Sequence, residues 1–285
     1  MLILGKFISI FLGLSKIFLC HKILYFSFAA LTVLSPKVFS ETVSLATGIN
    51  TDPPFVYGDH EISSKYPGIT IDILKLIEKR TDILFTIDKL PWVRVVRDVR
   101  ENVLDGGFHF SFKEKRRSFV SYPILKDNAT PDPIYSISDR SYVLYRRVGE
   151  AVKWDGQKVI LHLNGNATLG AIRGGSIIET LKKGDHDLIE ANTDDQLIKL
   201  LLFKRVDAIV GLENMLDAKI ATLKADSQSK IEKTSLPVVT KPYYIAFSKD
   251  FYKTKPDLAW KVWNEIKALK ESGEMNDLFK RYVGR

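Results

Sequence analysis

A chain of 285 residues, 45% hydrophobic and 11% aromatic, is long enough for two domains, and its composition excludes an intrinsically disordered protein. The net charge of +8 overstates how basic the folded part is, because Lys6, Lys16, Lys22 and Lys37 lie in the first forty residues, which contain no acid, and make up half of it. The excess that remains forms no basic block and has no interleaved aromatics, so nucleic acid is not expected as a partner.

The first forty residues form the sharpest compositional break. Residues 23–34 are an apolar run behind His21 and Lys22, followed by Ser35-Pro36 and Val38-Phe39-Ser40. That pattern predicts a signal peptide over 1–40, cut after Ser40, and hence export to the periplasm. An earlier apolar run, 7–20, makes the leader long; a start codon placed too far upstream and a retained membrane anchor are the two other readings. Cys20, the only cysteine, falls inside the leader. The mature chain would then have no disulfide, no thiol nucleophile and no cysteine metal site.

After Ser40, residues 42–46 alternate like a first strand, and 50–54 form a turn that ends in Pro53-Pro54-Phe55. Ile69, Ile73, Leu74 and Ile77 recur at helical spacing behind Gly68; 83–87 is a branched and aromatic strand, 93–99 a second helix, and a third strand lies near Phe108. A second set opens past 142–145. It has a strand at 168–172, a turn at 173–176, a helix running to about 183, a strand at 188–191, a helix at 195–204 and a strand at 206–210 leading into Glu213. Ser176 with Glu179 is a capping-box pattern. The tail returns through 242–247 and closes with helices at 257–272 and about 275–282, separated by Gly273. Strand–helix–strand–helix–strand, occurring twice, predicts an α/β protein with parallel strands and ligands gathered at their carboxyl ends.

One basic segment stands out. Ser111 to Pro123 puts a hydroxyl and then Lys115-Arg116-Arg117 directly after an apolar run. Taken alone it reads either as a solvated basic loop or as a grip for an anion, since a guanidinium can hold a carboxylate with two parallel bonds.

In order along the chain stand Pro-Pro-Phe at 53–55, Gly68 with Asp72, Trp92, Asp105, Ser111 with Arg116, Phe119 with Pro123, Arg-Gly-Gly-Ser at 173–176, Val-Asp-Ala at 206–208, Tyr-Tyr-x-x-Ala-Phe at 243–247 and Gly273. That ordered set, covering essentially the whole mature chain, resembles the bacterial solute-binding proteins of family 3, the amino-acid importer type. The resemblance implies a type II periplasmic binding protein-like fold. Its two lobes would be 41–135 with 241–285, and 136–240, joined by two crossing segments and closing over a ligand. It implies that Arg116 grips a ligand carboxylate beside the hydroxyl of Ser111. Trp92 and Phe55 would line the cleft, each with core packing as its other reading. Ser176 would donate to an anion, unless capping alone explains it, and Arg173 would add a cation, unless it is simply exposed. Glu213 is the match to the acid that holds an amino group, displaced by one residue. Two departures bear on the ligand: His109 stands where a small glycine is usual, and Asp105 lies one residue closer to Arg116.

The resemblance also implies capture of a small carboxylate-bearing solute, an amino acid or related polar molecule, and its delivery to an inner-membrane ABC permease by a monomeric protein. No cofactor, metal or catalytic residue is expected, since no Gly-x-Ser-x-Gly, His-Glu-x-x-His or phosphate-loop motif is present. A periplasmic lyase or dehydratase on the same fold, and a ligand-sensing module for a membrane receptor, are the alternative readings.

Overall fold

The computed structural model describes residues 40–126, 128–160, 167–184 and 186–283. The expected leader, apart from Ser40, lies outside them. The strands in chain order are β1 (Glu41–Gly48), β2 (Ile83–Leu90), β3 (Gly106–Ser111), β4 (Val120–Ser121), β5 (Ser138–Arg147), β6 (Lys153–Trp154), β7 (Val159–Ile160), β8 (Thr168–Ile172), β9 (Asp187–Ala191), β10 (Ala208–Leu212), β11 (Ile231–Lys233) and β12 (Val239–Ser248). One sheet runs β2-β1-β3-β12-β5-β10-β8-β9, with β4 on β12 and β11 on β5. Its two ends are the expected parallel sets: β1 pairs in parallel with β2 and β3, and β8 pairs in parallel with β9 and β10. Its middle is antiparallel. β5 and β12 pair with each other, and each continues outward, β12 onto β3 and β5 onto β10.

Helices cover the sheet because their apolar residues recur on one face. The Ile69–Arg80 helix buries Ile69, Ile73, Leu74 and Ile77, and the Pro256–Glu271 helix buries Ala259, Val262, Trp263, Ile266 and Leu269. The Trp263 indole N–H donates to the Ile245 carbonyl at 2.8 Å, tying this helix to β12. Two core clusters draw on residues 43–137 and 244–278; two others draw on 142–220 and Tyr243. The chain therefore forms two bodies of packing, with β5 and β12 running between them. Among the described residues no helix is long and apolar enough to cross a membrane.

The predicted capping box does not form. The helix after the 173–176 turn is the short Ile178–Leu181, and the Ser176 hydroxyl donates instead to the Tyr142 hydroxyl at 3.2 Å.

Candidate functional site

A cavity of about 490 Å³ opens where the two bodies face one another. The carboxyl ends of all six parallel strands reach it: Gly48 ending β1, Trp92 after β2, His109 in β3, Arg173 after β8, Asn192 after β9 and Leu212 ending β10. Ligands collect at such ends because the strands stop there and the following turns leave a crevice. Most of the wall is apolar, supplied by Trp92, Val93, Ile172, Val210, Leu212 and Met215 among others.

A buried polar cluster forms one side. Asp52 Oδ2 lies 2.6 Å from the Arg140 guanidinium and 3.1 Å from His109 Nδ1, and the Asn214 amide donates to Asp52 Oδ1 at 2.7 Å. The Thr70 hydroxyl sits 3.0 Å from His109 Nε2, and Arg140 lies 4.2 Å over the Phe55 ring and 5.2 Å over that of Tyr243. Burial alone would raise the Asp52 carboxyl, but the charge of Arg140 and the hydrogen bonds from His109 and Arg140 hold it well below the ordinary carboxylate range. Burial, reinforced by the Arg140 charge, lowers His109 to about 4 and keeps it neutral near pH 7. His109 has φ 66°, the left-handed region that glycine enters freely. The backbone thus keeps a glycine-favouring conformation, and the imidazole it carries is directed into the ion pair. A second polar chain runs from Tyr243 to the Tyr142 hydroxyl at 2.9 Å, which Ser176 also reaches.

Of the seven residues expected at the site, Trp92, Arg173 and Ser176 line the cavity, and four do not. Arg116 is buried, but its donors are engaged by the Ser111 carbonyl at 3.0 Å and by the Gly174 carbonyl of the facing body at 3.2 Å. It thus joins the end of β3 to the facing body. Ser111, which ends β3, is buried, and its carbonyl also accepts from Tyr122 at 3.0 Å. Phe55 packs in the core beneath Arg140, edge-on to His109. Glu213 faces away, 2.7 Å from Lys233, because a helix begins there and turns it outward. Arg173 is more than half exposed and lies 3.8 Å from Glu190.

Sequence reasoning left out Asp52, Arg140 and Asp194. Arg140 had a local signal, since in β5 it shares the alternating buried face of Tyr142 and Leu144. A charge on such a face needs a buried partner. Among the described residues no group of three or more His, Cys, Asp or Glu could hold a metal.

The family model for bacterial extracellular solute-binding proteins, family 3, matches residues 45–285. The chain belongs to this family. No protein of curated function matches the sequence significantly. Solved structures share the fold at low identity. The substrate-binding protein of an amino acid ABC transporter superposes with TM-score 0.63 at 19% identity, covering 86% of this chain and 100% of that one. An arginine-, lysine-, histidine-binding protein of Geobacillus stearothermophilus gives 0.64 at 17%, covering 86% and 96%. A histidine kinase sensor domain similar to periplasmic binding proteins gives 0.65 at 14%, covering 86% and 97%. The family 3 chain accordingly has the two-lobed type II fold, and β5 and β12 are its crossings.

Proposed function

We propose that this family 3 protein is an exported, non-catalytic receptor that captures a small solute between lobes 41–135 with 241–285 and 136–240, and delivers it to an inner-membrane ABC permease. The observation that carries this reading is the mainly apolar cavity ringed by the carboxyl ends of both parallel sets, with Trp92 from one lobe and Arg173 and Ser176 from the other in its wall. Lobe closure excludes water from such a cavity and strengthens each polar contact made inside it.

A bound solute is expected to raise the melting temperature by mass action and to compact the protein in small-angle scattering. A panel of amino acids, amines and small carboxylates tests this. Hits that leave the scattering profile unchanged would remove hinge closure, and chromatographic turnover of a hit would replace the receptor with an enzyme. A sensory role is favoured by the likeness to the histidine kinase sensor domain. Uptake of the labelled hit by cells with and without the gene separates the two, since only a transport receptor changes the uptake rate.

A further inference from the structure

The charges in the cleft wall are balanced except at one residue. Arg140 is paired with Asp52, and Arg173 is largely exposed beside Glu190. Asp194 lines the same cavity from the start of the Asp194–Leu202 helix and is only 6% exposed. No cation pairs with it, and no other described residue donates a hydrogen bond to its carboxylate. The groups that could have done so are engaged elsewhere: Lys219 sits 3.3 Å from the neighbouring Asp195, and the Gln196 N–H goes to the Thr193 hydroxyl. Burial, with the Asp52 charge facing it, pushes the Asp194 carboxyl up to about 6.

Its own backbone N–H and the more distant Lys219 offset the burial only in part, and a buried carboxylate with no paired cation is costly to keep charged. The same cavity is lined by Trp92, Val210, Leu212 and Met215. Glu213, the acid that the resemblance assigns to an amino group, is turned out to Lys233. Among the described cavity-lining residues, the buried Arg140 is held by Asp52, and the one other cation, Arg173, is largely exposed beside Glu190.

We propose that Asp194 anchors the ammonium group of the solute, and that the solute is an amine carried on an apolar or aromatic body without a carboxylate. This rests on the cleft being the receptor site.

The test is calorimetry on the purified protein with three probes of one skeleton: phenethylamine, 3-phenylpropionate and L-phenylalanine. Phenethylamine is expected to bind tightest of the three. Asp194→Asn, nearly isosteric and uncharged, is expected to keep a cooperative melt and to weaken phenethylamine by about 100-fold or more, the usual effect of leaving a buried charge unpaired. Asp195→Asn, beside it and paired with Lys219, should change affinity less than about threefold. A readout that needs no variant is pH. The charged groups facing Asp194 are Asp52, Asp195 and Lys219. As pH falls from 7 to 5, wild-type affinity for phenethylamine should drop by roughly tenfold as Asp194 takes up a proton, while Asp194→Asn stays flat. Tighter binding of 3-phenylpropionate, an Asp194→Asn variant that holds the amine as well as wild type, or no binding of phenethylamine at millimolar concentration would each overturn the assignment. If 3-phenylpropionate binds and compacts the protein, the assignment fails while the receptor reading stands. Turnover of any probe defeats the receptor reading itself.

Discussion

Asp194 and His109 pull the acid stability of the fold in opposite directions. The folded state holds Asp194 near 6 against 3.8 for a free carboxyl, so its ionised form costs stability at neutral pH, and that cost is relieved as pH falls from about 6 to 4. His109 is held near 4 against 6.5, so the unfolded chain takes up the proton first; its contribution is full above about pH 6.5 and is lost on the way down to 4. Each is worth on the order of 3 kcal/mol, and they nearly cancel. Wild-type stability measured by urea denaturation should therefore change little between pH 6.5 and 4. Asp194→Asn should be more stable than wild type at pH 7.5 and should lose that advantage steeply in acid. Equal slopes for the two proteins would show that Asp194 is not buried as described. Asp52 acts further down: its carboxyl is held below the ordinary range, so its stabilisation is present above about pH 4 and disappears below. Removing its partner exposes the same dependence at neutral pH. Arg140→Ala should cost about 3–5 kcal/mol, and the double change Arg140→Met with Asp52→Asn should recover much of it, because no charge is then left unpaired.

At the scale of the element, the turn between β8 and the Ile178–Leu181 helix makes a row of contacts with the facing body. Its carbonyls face the other lobe in succession: Gly174 takes Arg116, Gly175 takes Lys113 at 2.9 Å, and Ser176 takes Lys241 at 3.1 Å. Gly174 has φ 73°, a conformation that presents these carbonyls and that a side chain would strain. Charged donors on carbonyls are worth about 1.5–3 kcal/mol each, so Arg116→Ala should shift the open–closed balance tenfold or more toward open. Distance measurements between labels on the two lobes would register the shift. The apparent affinity of any ligand should weaken by the same factor, whatever its charge. Arg117, paired at the surface with Glu114 at 3.1 Å, should cost under about 1 kcal/mol when changed to Ala. An Arg116→Ala effect seen with carboxylates alone would instead support the carboxylate grip that family resemblance implies for this arginine.

At the scale of the molecule, one sheet is shared by two cores, and only β5 and β12 carry it from one to the other. If the lobes close as proposed, the two adjacent strands are where the bend would fall. Export belongs to this scale as well: the mature protein is expected to begin at or near Glu41 and to be released by osmotic shock. N-terminal sequencing that finds residues before about 23 on a membrane-bound protein would make it a tethered receptor.

The elements were legible from local pattern. Apolar residues at helical spacing in 69–77 and 256–271, and branched runs at 83–90 and 168–172, specify their conformation through near neighbours, and two such sets in the same order lead to two parallel layers. The family followed from landmarks spread along the chain, each weak and together specific. The site was legible only in part. Trp92, Arg173 and Ser176 follow strand ends or turns, so they reach the crevice wherever the sheet is built. Whether Arg116 meets a solute or a Gly174 carbonyl depends on a loop 58 residues away. Asp52, His109 and Arg140 come together from three separate strands or turns. Asp194 and Asp195 stand side by side in the sequence, yet one is buried without a paired cation and the other is exposed beside Lys219. Periodicity and propensity act over a few residues, whereas the free energy of a charge is set by everything packed around it. The sequence by itself determined the elements, their order and the family, and tertiary packing alone decided which charges face the cleft and which of them lack a partner.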